Sequence, residues 1–169
     1  MRLDPSSPLT AARVLNEWPP EQLAWLIKEF GEEPQAARVA RWIAERRAQR
    51  PFETTTELAA LIESRIPRRP GGIHPATRTF LALRIAVNRE LENLTRGLES
   101  AVAHLKTGGR VAVISFHSLE DRIAKSVLKA FEGQGVLRAV TGSPVKPSSR
   151  EIEENPRARS AKLRVAEKL

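Results

Sequence analysis

Through the first 66 residues, apolar side chains recur every three or four positions, a spacing typical of amphipathic helices. Proline or glycine interrupts the pattern at Pro19-Pro20, Gly31, Pro51 and Pro67. The spacing predicts helices over residues 10–17, 21–30, 35–49 and 58–66. We therefore expect a small all-helical module at the start of the chain, with its tryptophans at core positions rather than stacked on a base.

The pattern changes in the second half. A continuous apolar stripe predicts one long helix from about 75 to 105. The Gly108-Gly109 turn then leads into an apolar, β-branched run over 110–116, which is typical of a buried parallel strand. A helix over 118–131 and strands over 137–140 and 163–166 follow, with a predicted loop over 142–158. This order predicts an α/β fold with an incomplete sheet.

Polar side chains stand where the apolar strand ends. Ligands of open α/β sheets bind beyond the carboxyl ends of the strands, which makes His117 and Ser118 candidate site residues. Ser118 is predicted to cap the next helix, because Glu120 and Asp121 follow it in the first turn. His117 either lines a substrate pocket or holds the strand-to-helix turn by a hydrogen bond.

The chain of 169 residues carries a net charge of +8, much of it on arginine. The planar guanidinium can bind two phosphate oxygens at once, so this excess favours a nucleic acid partner over an ordinary solvated surface.

Cysteine is absent, which excludes disulfides and cysteine zinc sites. The three histidines are widely spaced, and no metal site is predicted. No apolar run is long enough to span a membrane, and the first residues lack the apolar core of a signal peptide. A cytoplasmic location is therefore expected.

Several motifs resemble those of one enzyme family and occur in that family's order. The two longest are Ser115-Phe116-His117-Ser118-Leu119-Glu120-Asp121-Arg122 and Asn155-Pro156-Arg157-Ala158-Arg159-Ser160-Ala161-Lys162-Leu163-Arg164; shorter ones lie at 1–5, 30–33, 38–41, 72–80 and 83–88. On these motifs the chain resembles the C-terminal part of the MraW (RsmH) family of small-subunit ribosomal RNA methyltransferases.

The resemblance implies S-adenosylmethionine-dependent methylation of the exocyclic N4 of a cytosine in small-subunit rRNA. It implies a Rossmann-like methyltransferase sheet into which a helical domain is inserted. Residues 1–72 would be the helical substrate-recognition insert with its preceding linker. Residues 73–169 would be the C-terminal part of the Rossmann-like domain, with 110–116 as its fifth strand and the last two strands as its closing antiparallel pair.

The sequence departs from the family pattern in one large respect. The glycine-rich cofactor loop, the acidic ribose-binding residue and the Asp-Leu-Gly segment of the family have no counterpart here, so no cofactor-binding residue is predicted in this chain. We expect a truncated form that is inactive alone and that forms a homodimer through an exposed sheet edge. The alternative is an RNA-binding or ribosome-docking module without catalysis.

The resemblance and the charge pattern together give the candidate site residues. Asp4, His117 and Ser118 are the catalytic candidates, with Asp4 either accepting a hydrogen bond from the target amino group or capping the first helix. The predicted contacts to rRNA are Arg2, Arg38, Arg41, Arg46, Arg47, Arg50, Arg68, Arg69, His74, Arg78, Arg157 and Arg159. For His74 and Arg78, at the start of the long helix, a phosphate site and a hinge are equally open.

Overall fold

The structure, a computed structural model, describes residues 1–68 and 70–169. It divides into two compact units, Met1–Glu90 and Leu91–Leu169. The division falls later than the expected one between residues 72 and 73, because the helix that follows residue 76 packs on the helical module. The functions assigned to the ranges 1–72 and 73–169 stay predictions.

The first unit is all-helical, as predicted. Its helices are α1 (Ala11–Glu17), α2 (Pro20–Gly31), α3 (Ala36–Gln49), α4 (Thr55–Glu63) and α5 (Thr77–Asn88). Their apolar faces meet in one core, in which Leu23, Ile27, Val39, Ile43 and Leu83 are buried. Thr10 caps α1 by accepting a hydrogen bond from the Arg13 N–H at 3.1 Å.

Gly31 lets α2 and α5 approach closely. A Cβ atom at this position would lie 2.6 Å from the carbonyl oxygen of Arg78, well inside van der Waals contact. The expected helix stop at Gly31 is displaced by one residue, since Gly31 is the last residue of α2 and Glu32 adopts the left-handed conformation with φ 48°. The glycine serves packing, and its neighbour ends the helix.

The predicted single helix over 75–105 is wrong. Arg89 adopts the left-handed conformation with φ 51° and ends α5, and α6 (Glu90–His104) begins immediately after it. The apolar stripe persists on both sides of the break, so periodicity alone could not reveal it.

The second unit contains three strands, which are β1 (Arg110–Ser115), β2 (Leu137–Ala139) and β3 (Lys162–Lys168), with α7 (Ser118–Gly133) between β1 and β2. The sheet order is β1-β3-β2 and both pairings are antiparallel. The mixed α/β class is thus confirmed. The expectation of a buried parallel strand is not met among the described residues, because β1 pairs only with β3 and Ile114 is 59% exposed. The Rossmann-like sheet stays a prediction.

The predicted loop over 142–158 is partly helical. It contains α8 (Ser149–Glu154) and leads into a 3-10 helix at Pro156–Ser160. The helix forms because Ser148 accepts a hydrogen bond from the Glu151 N–H at 3.2 Å, and Asn155 caps the 3-10 turn in the same way. None of the helices in the described part of the chain is long and apolar enough to cross a membrane.

Candidate functional site

In the first unit, the amide of Asn88 holds the N-terminal segment. Asn88 Oδ1 accepts a hydrogen bond from the Leu3 N–H at 2.8 Å, and Asn88 Nδ2 donates to the Met1 carbonyl at 2.9 Å. The same Nδ2 donates to the Arg84 carbonyl one turn back in α5 at 2.8 Å. Because this amide pairs with one donor and one acceptor of the N-terminal segment, it fixes the position of that segment. The sequence analysis did not single out this residue, although it lies in a family motif.

Asp4 follows directly on this held segment. Its Oδ1 accepts hydrogen bonds from the Ser6 hydroxyl at 2.7 Å and the Ser6 N–H at 2.8 Å. These two bonds hold the pKa of Asp4 below its usual range, so the carboxylate is ionised and exposed. Asp4 therefore does not cap α1, a role that Thr10 fills. The Arg2 Nη1 donates to the Ser7 carbonyl at 2.6 Å and closes this turn.

The predicted RNA-contacting arginines of α3 fall into two groups. Arg38, Arg41 and Arg50 are exposed, although Arg41 lies 3.6 Å from Glu45 and Arg50 lies 3.8 Å from Glu53 and 3.9 Å from Glu57, as surface ion pairs that solvent screens. Arg47 instead donates to the Leu15 carbonyl at 2.7 Å and joins α3 to α1. Arg46 is part-buried, lies 4.9 Å from the centre of the Phe52 ring and pairs with Glu57, the residue that completes the capping box of α4.

Arg46 and Arg47 are thus engaged within the helical module, and the sequence could not separate them from their exposed neighbours. The other predicted basic positions of this unit include the exposed Arg68. Arg69 lies outside the described residues.

His74 and Arg78, near the start of α5, both line a cavity of about 500 Å³. The Ala76 N–H donates to His74 Nδ1 at 3.1 Å, so the imidazole helps to start the helix. Arg78 Nη1 lies 3.9 Å from Oε2 of Glu33, a carboxylate that is only 8% exposed. These contacts lie within the first unit, and both the hinge and the phosphate-binding role of the two residues stay predictions.

In the second unit, His117 caps α7, the position that the sequence analysis gave to Ser118. His117 Nδ1 accepts a hydrogen bond from the Glu120 N–H at 3.3 Å, while Glu120 Oε2 accepts from the Phe116 N–H at 2.8 Å. His117 Nε2 lies 3.2 Å from Glu120 Oε1. The neighbouring His117 ring and the Phe116 N–H lower the pKa of Glu120.

Asp121 joins the two long motifs of the sequence. Its Oδ1 accepts from Arg164 Nε at 2.7 Å and its Oδ2 from Lys162 Nζ at 3.1 Å. Arg164, followed by Lys162, holds the pKa of Asp121 below its usual range. The basic residues of the C-terminal motif therefore fall into two groups. Lys162 and Arg164 form ion pairs with Asp121, whereas the predicted RNA contacts Arg157 and Arg159 are exposed.

One tryptophan departs from the expected core position. Trp18 and Trp42 pack against the core of the helical module. Trp25 is 56% exposed, and its ring stands edge-on to Phe30 with centroids 5.4 Å apart. Helical periodicity placed all three tryptophans on apolar helix faces. It does not report whether a residue lies at the exposed edge of such a face or at its buried centre.

Comparison with known proteins identifies the family to which the chain belongs. The ribosomal RNA small subunit methyltransferase H of Synechococcus elongatus is 54% identical over 171 residues, which cover 100% of this chain and 56% of that protein. The protein of the same name from Syntrophobacter fumaroxidans is 49% identical over 185 residues, covering 99% of this chain and 58% of that protein. The one from Caldicellulosiruptor bescii is 47% identical over 184 residues, covering 100% and 60%.

The chain thus spans little more than half the length of these curated relatives. A family model described as the MraW methylase family matches residues 1–169, with both long motifs inside the match. The chain therefore belongs to the MraW methylase family.

Proposed function

We propose that this chain forms the substrate-binding part of an S-adenosylmethionine-dependent methyltransferase that modifies the N4 of a cytosine in small-subunit rRNA. The observation that carries the proposal is the family match over every residue, together with relatives whose name states the rRNA substrate. The exposed guanidinium groups of Arg38, Arg41 and Arg50 support it, because sequence-independent binding of RNA depends on phosphate contacts.

The roles of individual residues follow from the N-terminal turn. Asp4 is ionised and oriented by Ser6, so it can accept a hydrogen bond from the exocyclic amino group of cytosine and direct the nitrogen lone pair. Arg2, in the same turn, is the phosphate contact of this segment. Trp25 is an exposed ring on which an unstacked base could pack. His117 positions the start of α7 in this proposal, and Ser118 adjoins it.

S-adenosylmethionine is implied by the family, and the described residues do not fit it. A cofactor loop is a glycine-rich link from a strand to a helix, whereas β1 joins α7 through Phe116 and His117. The cleft beyond β1 is lined by the unpaired cations of Lys146 and Arg159, which oppose a positively charged sulfonium. We therefore assign no step of methyl transfer to this chain's own residues beyond holding and orienting the RNA.

The decisive experiment measures transfer of a labelled methyl group from S-adenosylmethionine to purified small ribosomal subunits. It compares the 169-residue chain with the same chain joined to the portion of the Synechococcus elongatus relative that it does not cover. Labelled N4-methylcytidine with the joined protein and none with the chain alone is the expected result. RNA binding without methylation in either form would favour the alternative, a docking module without catalysis.

A small-subunit substrate also agrees with the cytoplasmic location expected from the sequence. That location is part of the same proposal, and localising the tagged protein beside a ribosomal protein tests it.

A further inference from the structure

A basic cleft opens beyond the carboxyl end of β1, within the second unit. Its volume is about 320 Å³, and the side chains that matter for the argument are Phe116, Lys146, Arg159 and Lys162. None of the residues lining it is acidic in the described part of the chain. The cleft adjoins His117 and Ser118 but lies on the other unit from Asp4, the residue proposed to face the target base.

The fold brings these distant residues together by backbone pairing. The Val145 N–H donates to the Leu163 carbonyl at 2.9 Å, and the Leu163 N–H donates back at the same distance. This isolated bridge places Lys146 beside β3. The 3-10 helix at Pro156–Ser160 delivers Arg159 immediately before the same strand.

The charge of the cleft is available to a ligand. Lys162 is already paired with Asp121 at 3.1 Å, so it contributes little net charge. Lys146 and Arg159 are exposed, and neither forms an ion pair with any described residue. Two unpaired cations in a cleft whose lining has no acidic side chain favour a phosphate group.

An aromatic ring completes the cleft. Phe116 is 52% exposed, although a phenylalanine at the end of an apolar strand would ordinarily be buried. Its backbone is fixed, because its N–H donates to Glu120 Oε2 at 2.8 Å. A half-exposed ring held beside unpaired cations is the combination that proteins use for single-stranded nucleic acids, where bases stack and phosphates are neutralised.

We propose that this cleft binds one nucleotide of single-stranded RNA, with its base stacked on Phe116 and its phosphate held by Lys146 and Arg159. The inference rests on the proposed function and adds a second RNA subsite to it. A duplex would not serve as ligand, since its bases are stacked on one another and offer no free face to the ring.

The test uses a fluorescein-labelled hexanucleotide of cytidine, titrated into the 169-residue chain and followed by fluorescence anisotropy. Phe116→Leu keeps an apolar side chain and removes the aromatic face, so the affinity should fall about tenfold while the salt dependence stays unchanged. The double variant Lys146→Ala/Arg159→Ala should weaken binding and reduce the slope of log K against log salt concentration by about 0.7 for each phosphate that the cleft no longer neutralises.

The matched control is Arg96→Ala/Lys125→Ala, which removes the same charge from exposed positions outside the cleft. It should leave the slope close to that of the unmodified chain. Circular dichroism should show that all variants are folded. The inference is overturned if the hexanucleotide does not bind, if Phe116→Leu binds it as tightly as the unmodified chain, or if the control weakens binding as much as the cleft variant.

These outcomes are separable from failure of the proposed function. Methyl transfer by the joined protein, with cleft variants that bind the hexanucleotide normally, would overturn only the second subsite. Absence of methyl transfer, with binding that depends on Phe116, would overturn the enzymatic proposal and leave an RNA-binding cleft.

Discussion

Arg164 donates a hydrogen bond through Nε to Asp121 Oδ1 at 2.7 Å, and both side chains are only 13% exposed. This contact ties the first turn of α7 to the middle of β3. It also joins the two long sequence motifs through residues that lie 43 positions apart. The start of α7, on which the proposed nucleotide cleft depends, is therefore held by an ion pair in a place where solvent screens charge weakly.

Asp121→Asn should destabilise the second unit by about 2–3 kcal/mol, since Arg164 would keep its buried charge without a carboxylate. The effect should depend on pH. Because the folded pKa of Asp121 lies below its unfolded value of about 3.9, its contribution is complete above that value and is lost as the pH falls through the folded pKa. Hydrogen exchange of β3 amides in the two proteins should begin to converge as the pH falls below about 4 and should match only below the folded pKa of Asp121. Arg150→Ala, which breaks an exposed pair with Glu154, should change stability by less than about 0.5 kcal/mol.

Gly31→Ala should lower the stability of the first unit by about 1–3 kcal/mol, because the new methyl group would meet the Arg78 carbonyl at 2.6 Å. Urea unfolding followed by tryptophan fluorescence measures this unit, which contains all three tryptophans of the chain. Gly97→Ala is the contrasting substitution, because open space surrounds that position in α6. It should raise the free energy of unfolding by about 0.5–1 kcal/mol, measured by urea unfolding followed by circular dichroism. Equal effects of the two substitutions would show that helix propensity, not close packing, governs position 31.

Substitutions of the exposed and of the part-buried, hydrogen-bonded arginines of α3 should have different effects on RNA affinity and on stability. Arg38→Ala/Arg41→Ala should reduce the affinity for a small-subunit rRNA fragment and its salt dependence, while the stability changes by less than about 0.5 kcal/mol. Arg47→Ala should cost about 1.5–3 kcal/mol of stability, because it removes a charged hydrogen bond to the Leu15 carbonyl, and should leave the salt slope unchanged. A drop in the salt slope for Arg47→Ala would place that guanidinium on the RNA.

Asn88→Ala should release the N-terminal segment, since the Leu3 N–H and the Met1 carbonyl both lose their hydrogen bonds to this side chain. Hydrogen exchange at the first residues should become faster while the core of the first unit keeps its protection.

Asn88→Ala should also affect catalysis in the joined protein, because it frees the segment that carries Asp4. The proposed role of Asp4 predicts that kcat falls by a larger factor than KM for rRNA rises. Unchanged kcat would mean that the position of this segment does not matter for the chemistry.

The sequence predicted α1, α2 and α3 to within one residue because a local proline or glycine signal ends each of them, and apolar spacing reports which face is buried. The fourth helix was expected over 58–66 but spans Thr55–Glu63, because the Thr54–Glu57 capping box, which the sequence analysis did not identify, starts it earlier. The sequence did not predict the helix break at Arg89, because an arginine in the left-handed conformation has no sequence signature and the apolar stripe continues across it.

The candidate site was harder to predict, because side chains of one type take different roles by tertiary contact. Nothing local distinguishes Arg47, which reaches Leu15, from Arg38, which faces solvent. The hydrogen bonds of Asn88 with Met1 and Leu3 join residues 85 or more positions apart. His117 took the cap expected of Ser118 because its imidazole offers the same acceptor one residue earlier.

The exposed face of β1 should cause the 169-residue chain to self-associate. Within the described residues β1 is an edge strand, and Ile114 on its outer face is 59% exposed, a combination that favours pairing with a second copy. Size-exclusion chromatography with light scattering should show a concentration-dependent mass above 18.8 kDa. Ile114→Lys should shift the chain towards the monomer, because a charge on this face opposes edge pairing, whereas Gln134→Lys adds the same charge at an exposed position outside the sheet and should not. A monomer at all concentrations would show that the β1 edge does not mediate dimerisation.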